Sequence, residues 1–319
     1  MSEPTNPTTG ADLDVGLQPM IEIEGIAANA EYLVWDNIAM HRSAIATQGG
    51  NAATFPKLSA LAPTTTALDA TENPSAESLA DTAVTITPNE YGVPVELGRK
   101  LLRTSPRAIL QDAIRILSVN AVESRDKLGG TVALAGSNVR YVNGRANAGL
   151  LQAGDVVSRA EIVRAKVQLG KQKAPKFADG SYAAVLGSAQ IGDVFGSGSL
   201  NDFVDVSKYA SPEVIRTGEI GRFMGFTFYE ASQANVSTGG AGAGLDPDPD
   251  ADLCLALFCG MGYLGYAYTQ DPMVIPAFDA NDRLKRFISL GWYGDYNYGR
   301  IREENGYRLG SRSAYSTTP

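Results

Sequence analysis

A long stretch with no credible helix constrains this chain more than any other feature. Residues 52–83 hold a short strand-like piece at 53–61, then Thr64-Thr65-Thr66 and a polar run at 69–81. Residues 83–97 are strand-like again, with Val84, Ile86, Tyr91, Val93 and Val95, interrupted by Pro88 and Pro94. Two strand-like pieces around a polar tip predict a long two-stranded finger. A ribbon with nothing to pack on is only marginally stable in water, and so long an excursion is out of place inside a compact monomer. The finger is therefore expected to be completed by another chain.

Helices are expected on both sides of it. The first twenty residues have the composition of a mobile arm; after them Ile23, Ile26, Ala30, Leu33, Asn37 and Ile38 recur at three and four, predicting an amphipathic helix that ends before Gly49-Gly50. Ser105 followed by Pro106 is a helix start, a capping hydroxyl with Pro at the first helical position. From there Ile109, Ala113, Ile116, Leu117 and Asn120 line one side, Leu110 and Ile114 widen it, and Gly129-Gly130 marks the expected stop. At ~1.5 Å per residue this is a rod of roughly 35 to 45 Å. A further helix opens after Ser158, with Glu161 completing a capping box, and runs through Ile162, Val163, Val167 and Leu169 to Gly170. Beyond it, 182–186 reads as a buried strand, 189–195 as a short helix, 223–230 as a strand, 239–252 as an exposed Gly-rich and then Asp-Pro loop, and 287–301 as long aromatic strands. No repeat of solenoid length is evident.

With 319 residues the chain buries a substantial core without staples. Cys254 and Cys259 share the apolar stretch 253–259 and read as buried reduced thiols, which fits a reducing compartment. Residues 1–10 are polar, with no basic leader and no apolar core, so no secretory signal is expected. The longest apolar stretch, 253–268, is broken by Gly260, Gly262 and Gly265 and falls short of the roughly 20 residues of a membrane span. Acidic residues outnumber basic ones, 35 to 27, for a net charge of −8, and no run of Lys and Arg occurs, which argues against strong nucleic-acid binding by phosphate neutralisation.

The apparent sites are weak. Gly260, Gly262 and Gly265 spell a dinucleotide fingerprint after a strand, but Tyr266 to Gln270 is aromatic and runs to Pro272 instead of opening a helix, so a strand where backbones pack closely is expected. Asp246, Asp248, Asp250 and Asp252 have the spacing of calcium ligands, yet Pro247 and Pro249 stiffen the chain and no distant Glu follows, so a solvated loop is expected. His41 is the sole histidine, next to Arg42, and reads as a satisfied structural residue in a helix. Neither a GxSxG elbow nor a GxxxxGK[ST] loop occurs. No catalytic, cofactor-binding or metal-binding residue is assigned, and no cofactor is expected.

The order of elements, together with several soft motifs, resembles the major capsid proteins of tailed bacteriophages, the Hong Kong ninety-seven fold. The motifs are Val84-Thr85-Ile86-Thr87 through Glu90-Tyr91-Gly92-Val93-Pro94-Val95-Glu96-Leu97, Gly218-Glu219-Ile220-Gly221-Arg222-Phe223-Met224-Gly225-Phe226, Leu257-Phe258-Cys259-Gly260 through Gly265-Tyr266-Ala267, and Ile288-Ser289-Leu290-Gly291-Trp292-Tyr293-Gly294. The resemblance covers nearly the whole chain. It implies an α+β subunit with an N-terminal arm and helix at 1–50, an extended loop at 51–98 that lies over a neighbour, a peripheral domain with a long spine helix at 99–181, an axial domain at 182–275, and return strands at 276–319. It also implies a structural protein, not an enzyme, that assembles with itself into hexamers and pentamers of an icosahedral virion shell in the host cytoplasm. Such a shell encloses double-stranded DNA without sequence-specific binding, alongside scaffolding, portal and decoration proteins. A net negative charge suits a container that does not grip its genome. Some relatives crosslink through a Lys in the extended loop; Lys57 stands there, but with no activating carboxylate visible in the sequence no crosslink is expected. An encapsulin-like compartment of the same fold and, further off, a dinucleotide-dependent enzyme are the competing readings.

Overall fold

The computed structural model describes residues 33–44, 51–58, 61, 63–65, 67, 77–79, 81–104, 109–152, 154–196, 219–231, 236–237, 253–277 and 286–315. The arm, the start of the helix expected from Ile23, most of the finger's polar tip, the Ser105-Pro106 start and the 239–252 loop lie outside them.

A short helix α1 (Val34–Ile38) leads directly into strand β1 (Ala39–Ser43). This corrects the single long helix expected before Gly49. Trp35 and Ile38 are buried, but from Ala39 the backbone turns extended and pairs in parallel with a strand edge at 264–268. The open hydrogen bonds of that edge decide the conformation. His41 consequently stands on a strand, not a helix.

Strands β2 (Ala53–Leu58) and β3 (Asp81–Ile86) pair antiparallel as a separate two-stranded sheet. The chain then forms β4 (Asn89–Gly98), α2 (Arg99–Thr104) and α3 (Ile109–Leu134). Helix α3 does not stop at Gly129-Gly130. Both glycines are buried in it, and a Cβ at Gly129 would lie 2.9 Å from Cβ of Trp35 and 3.3 Å from Cζ of Tyr298. They permit close approach to α1 instead of ending the helix. Its inner side is Ile114, Leu117, Ser118 and Ala121, whereas Ile116, expected in the apolar face, is 68% exposed.

The remaining elements are β5 (Val139–Tyr141), α4 (Arg159–Lys171), β6 (Tyr182–Leu186), α5 (Ser188–Gly196), β7 (Glu219–Phe223), β8 (Phe226–Glu230), β9 (Val236–Ser237), β10 (Leu253–Cys259), β11 (Leu264–Ala277), β12 (Phe287–Arg300) and β13 (Gly306–Ser311). The strand expected over 223–230 is a hairpin: Met224 and Gly225 take φ of 52° and 85°, turning β7 back into β8. The capping box at α4 is not formed. Ser158 makes no side-chain cap bond, and the Glu161 carboxylate accepts from the Asn143 backbone N–H and from Arg164.

Two larger sheets organise the molecule. One has the order β1-β11-β12-β4, and α3 packs across it; along β12 every second residue from Leu290 to Tyr298 is buried against that helix. Trp292 adds an Nε1–H bond of 2.9 Å to Asn120 on α3. The other sheet has the order β5-β13-β10-β6-β8-β7, with β9 on β10, and α4 buries Ile162, Ala165 and Leu169 in a core shared with Phe226, Phe258, Tyr307 and Leu309. These sheets cut across the expected boundaries at 182 and 275: α4 shares a core with β6, β11 belongs to the first sheet, and β13 returns to the second. Strand pairing, which joins residues distant in sequence, sets the grouping.

Gly260 and Gly262 lie in the turn between β10 and β11, and Gly265 lies in β11 itself. A Cβ on Gly260 would collide with the Pro175 carbonyl, Gly262 has φ of 81°, and a Cβ on Gly265 would sit 2.8 Å from Cδ1 of Ile301. A tight turn accounts for Gly260 and Gly262 and close packing of a strand for Gly265, so the dinucleotide reading falls.

Candidate functional site

The β2–β3 ribbon is buried only at its root. There Ala53, Phe55 and Ile86 pack with Ala44, Ala267 and Ile301. Glycines make the socket: Cβ atoms on Gly265 and Gly299 would lie 3.1 and 2.7 Å from Cδ1 of Ile86. The Arg42 guanidinium stands 5.9 Å from the Phe55 ring centre, and Asn297 Nδ2 donates to the Thr87 carbonyl at 2.9 Å, fixing the joint between β3 and β4. Away from the root, Thr54, Pro56, Asp81, Thr82, Ala83 and Thr85 are exposed, as are Leu61 and Leu79 beyond the strands.

Among the described residues an ion pair ties the ribbon to the body. Lys57 Nζ lies 2.7 Å from Oε1 of Glu304, so a carboxylate invisible as a partner in the sequence does stand beside the lysine. Burial works against the Glu304 charge, but the hydrogen bond and charge of Lys57, a backbone hydrogen bond and the charge of Arg302 together outweigh it and hold the carboxyl below its usual range. An ionised acceptor of this kind is a salt-bridge partner and a poor proton acceptor.

A second cluster clamps α1 to α3 and the first sheet. Asp36 Oδ1 accepts from Arg125 at 2.7 Å and from the Tyr298 hydroxyl at 3.2 Å; Arg125 also lies 4.3 Å from the Tyr266 ring centre, and Tyr266 donates to Asp271 at 2.7 Å. Burial disfavours the Arg125 charge, yet Tyr298, Tyr266 and Asp36 outweigh it and keep the guanidinium protonated. His41 Nε2 sits 3.1 Å from the Asp36 carbonyl, so the sole histidine is a partner in this clamp. Asp126, on α3, accepts the backbone N–H groups of Val34 and Trp35 at the start of α1; burial pushes its carboxyl up to about 6 despite those bonds.

None of these groups is poised as a nucleophile. Burial pushes the Cys259 thiol up to about 12, and it raises the Tyr266 and Tyr298 hydroxyls as well. Both cysteines are buried. Among the described residues no cluster of His, Cys, Asp and Glu is arranged to hold a metal, and no helix is long and apolar enough to cross a membrane. The four aspartates of the 246–252 stretch lie outside the described residues. The arrangement offers a two-stranded ribbon packed at its root and exposed beyond it. Sequence reading found the ribbon but missed its socket and Glu304, because only the fold brings Gly265 and Gly299 to its root and Glu304 to Lys57.

No family model and no curated protein matches this sequence. Solved structures do. A chain of the capsid of Ralstonia phage GP4 matches with a TM-score of 0.75 at 12% identity, covering 88% of this chain and 89% of that one. A chain of the Cyanophage Pam1 capsid matches at 0.63 and 16% identity, covering 88% and 89%. A chain of the capsid of a native GTA particle matches at 0.52 and 14% identity, covering 98% of this chain and 96% of that one. The α+β fold of this chain is the fold of tailed-phage capsid proteins, the Hong Kong ninety-seven fold.

Proposed function

We propose that this chain is a major capsid protein, a non-enzymatic subunit that assembles with itself into the hexamers and pentamers of an icosahedral shell around the double-stranded DNA of a tailed phage. One observation carries the reading: β2 and β3 form a sheet of their own whose root is seated and whose outer part is exposed, on a body with the capsid fold. An unpaired ribbon edge and uncovered side chains are satisfied when the ribbon lies over a neighbour, and many modest contacts of that kind add up to a stable shell. In this reading residues 51–98 contain the extended loop, α3 is the spine of a peripheral domain, and the β10-centred sheet forms the axial domain that meets its copies around five-fold and six-fold centres. Scaffolding, portal and decoration proteins are its further partners, and the virion capsid is its location.

Electron microscopy of the expressed chain tests this. Closed particles built from five- and six-membered capsomers are expected. A monodisperse monomer under all assembly conditions overturns the reading, and a shell that holds an enzyme cargo in place of DNA moves it to a cellular compartment.

A further inference from the structure

Helix α4 sets Arg164, Val167 and Lys171 on one side, at spacings of three and four. Strands β5 and β13, paired in parallel, bring Arg140 and Tyr307 against that side. Between them lies a cleft of about 390 Å³ whose charged lining is Arg140, Arg164 and Lys171 against one carboxylate, Glu161. Glu161 is buried and already held by Arg164 and by the Asn143 backbone N–H. Arg140 and Lys171 are exposed, with no hydrogen bond or ion pair among the described residues, and the Arg164 side chain remains 60% exposed beside its bond to Glu161. In a chain of net charge −8 the cleft is a local surplus of positive charge.

A second observation points into the same space. Tyr307 is 2% exposed and lines the cleft, yet its hydroxyl has no hydrogen-bond partner among the described residues. A buried hydroxyl left unmatched is destabilising, and a ligand oxygen would relieve it. Burial raises the pKa of that hydroxyl and the Glu161 charge raises it further, against the pull of Arg140 and Arg164, so it keeps its proton and can donate.

We propose that this cleft binds a small phosphate monoester: Arg140 and Lys171 meet the phosphate oxygens, the Tyr307 hydroxyl donates to one of them, and Val167 and the Tyr307 ring flank the organic part. A phosphate monoester brings roughly two negative charges at pH 7 and three strong acceptor oxygens, which matches three cations less one carboxylate. A carboxylate brings a single charge and leaves a cation unmatched. The volume exceeds what a bare phosphate fills and lies within the ~300–1,000 Å³ of small-molecule sites. Duplex DNA fits less well, because it calls for cations spread along its axis and not gathered round one concavity. The site is made within one subunit, so it does not depend on the shell reading.

Titration calorimetry of the expressed chain with phenyl phosphate, inorganic phosphate and benzoate tests it. Phenyl phosphate is expected to bind more tightly than either of the others. Arg140→Gln/Lys171→Gln changes exposed residues and is expected to weaken that binding by about tenfold or more. Tyr307→Phe keeps the ring beside Phe258 and removes only the hydroxyl, for a loss of about fivefold. Lys166→Gln takes a charge from α4 outside the cleft and should change the affinity by less than about twofold. Should Tyr307→Phe fail to fold, the Arg140/Lys171 variant set against Lys166→Gln decides. Absence of binding to the parent overturns the inference and leaves the shell reading standing. Equal binding of benzoate, a Lys166→Gln loss as large as that of the cleft variant, or displacement of phenyl phosphate by duplex DNA overturns it as well.

Discussion

Strands β3 and β12 look alike in sequence and live in different surroundings. Both alternate, yet β12 buries every second residue from Leu290 to Tyr298 against α3, while β3 buries only Ile86, the residue at its root. Alternation states that a strand has two faces. It does not state who covers them. The β12 sheet is covered by its own chain, whereas most of β3 stands exposed.

Substitutions should separate the two regions sharply. Trp292→Ala removes a buried aromatic side chain and its bond to Asn120, so a loss of about 3–5 kcal/mol in chemical denaturation of the subunit is expected. A loss below ~1 kcal/mol would show that the α3 face is not the core it is taken for. Next comes Gly129→Ala, whose new methyl meets Trp35 and Tyr298; overpacking of about 1–3 kcal/mol outweighs the helix-propensity gain. Gly170→Ala on α4 meets nothing within 4 Å and should gain up to about 1 kcal/mol. If both glycine variants gained stability, α3 and α1 would not be in close contact.

The legible parts of the fold were those in which local pattern and tertiary setting agree. Helix α3 and strand β12 announce themselves by period, and β10 by an unbroken apolar run. What could not be read was decided by distant partners. Residues 39–43 follow a helical pattern that runs through Leu33, Asn37 and Ile38, but the free edge of β11 captures them as a strand. Gly129-Gly130 has the look of a helix stop because local rules treat glycine as a breaker, and only the Trp35 ring pressed against it gives the other meaning. Gly265 was legible as one letter of a nucleotide fingerprint, whereas its work is to make room for Ile86 and Ile301. Of the candidate site, the finger was visible and its socket was not.

Acidification gives a smaller effect with a definite sign. The Asp126 carboxyl is raised in the folded state to about 6 from 3.8, so folding takes up a proton between those values. Its contribution is fully present below about 3.8 and is lost as pH rises through about 6, at up to about 1.4 kcal/mol per pH unit. The denaturation midpoint of the subunit should therefore rise on going from pH 7.5 to pH 5, and Asp126→Asn should flatten that rise. An unchanged slope in the variant would assign the effect to another group.

The smallest effects on the subunit belong to the ribbon, and there the comparison is at its sharpest. Lys57→Ala breaks a pair whose side chains are 33% and 42% exposed, so a change within about 1 kcal/mol is expected. Replacing residues 59–80 by a short turn keeps Ala53, Phe55 and Ile86 in their socket and should also leave the denaturation midpoint nearly unchanged. Particle formation, scored by electron microscopy, should nevertheless be lost if, as proposed, the extended loop lies over a neighbouring copy. A truncated chain that still closes into shells would mean that the outer ribbon covers nothing. The exposed face of β3 would then be an ordinary solvated surface, and the contrast with β12 would reduce to a difference in burial without a difference in purpose.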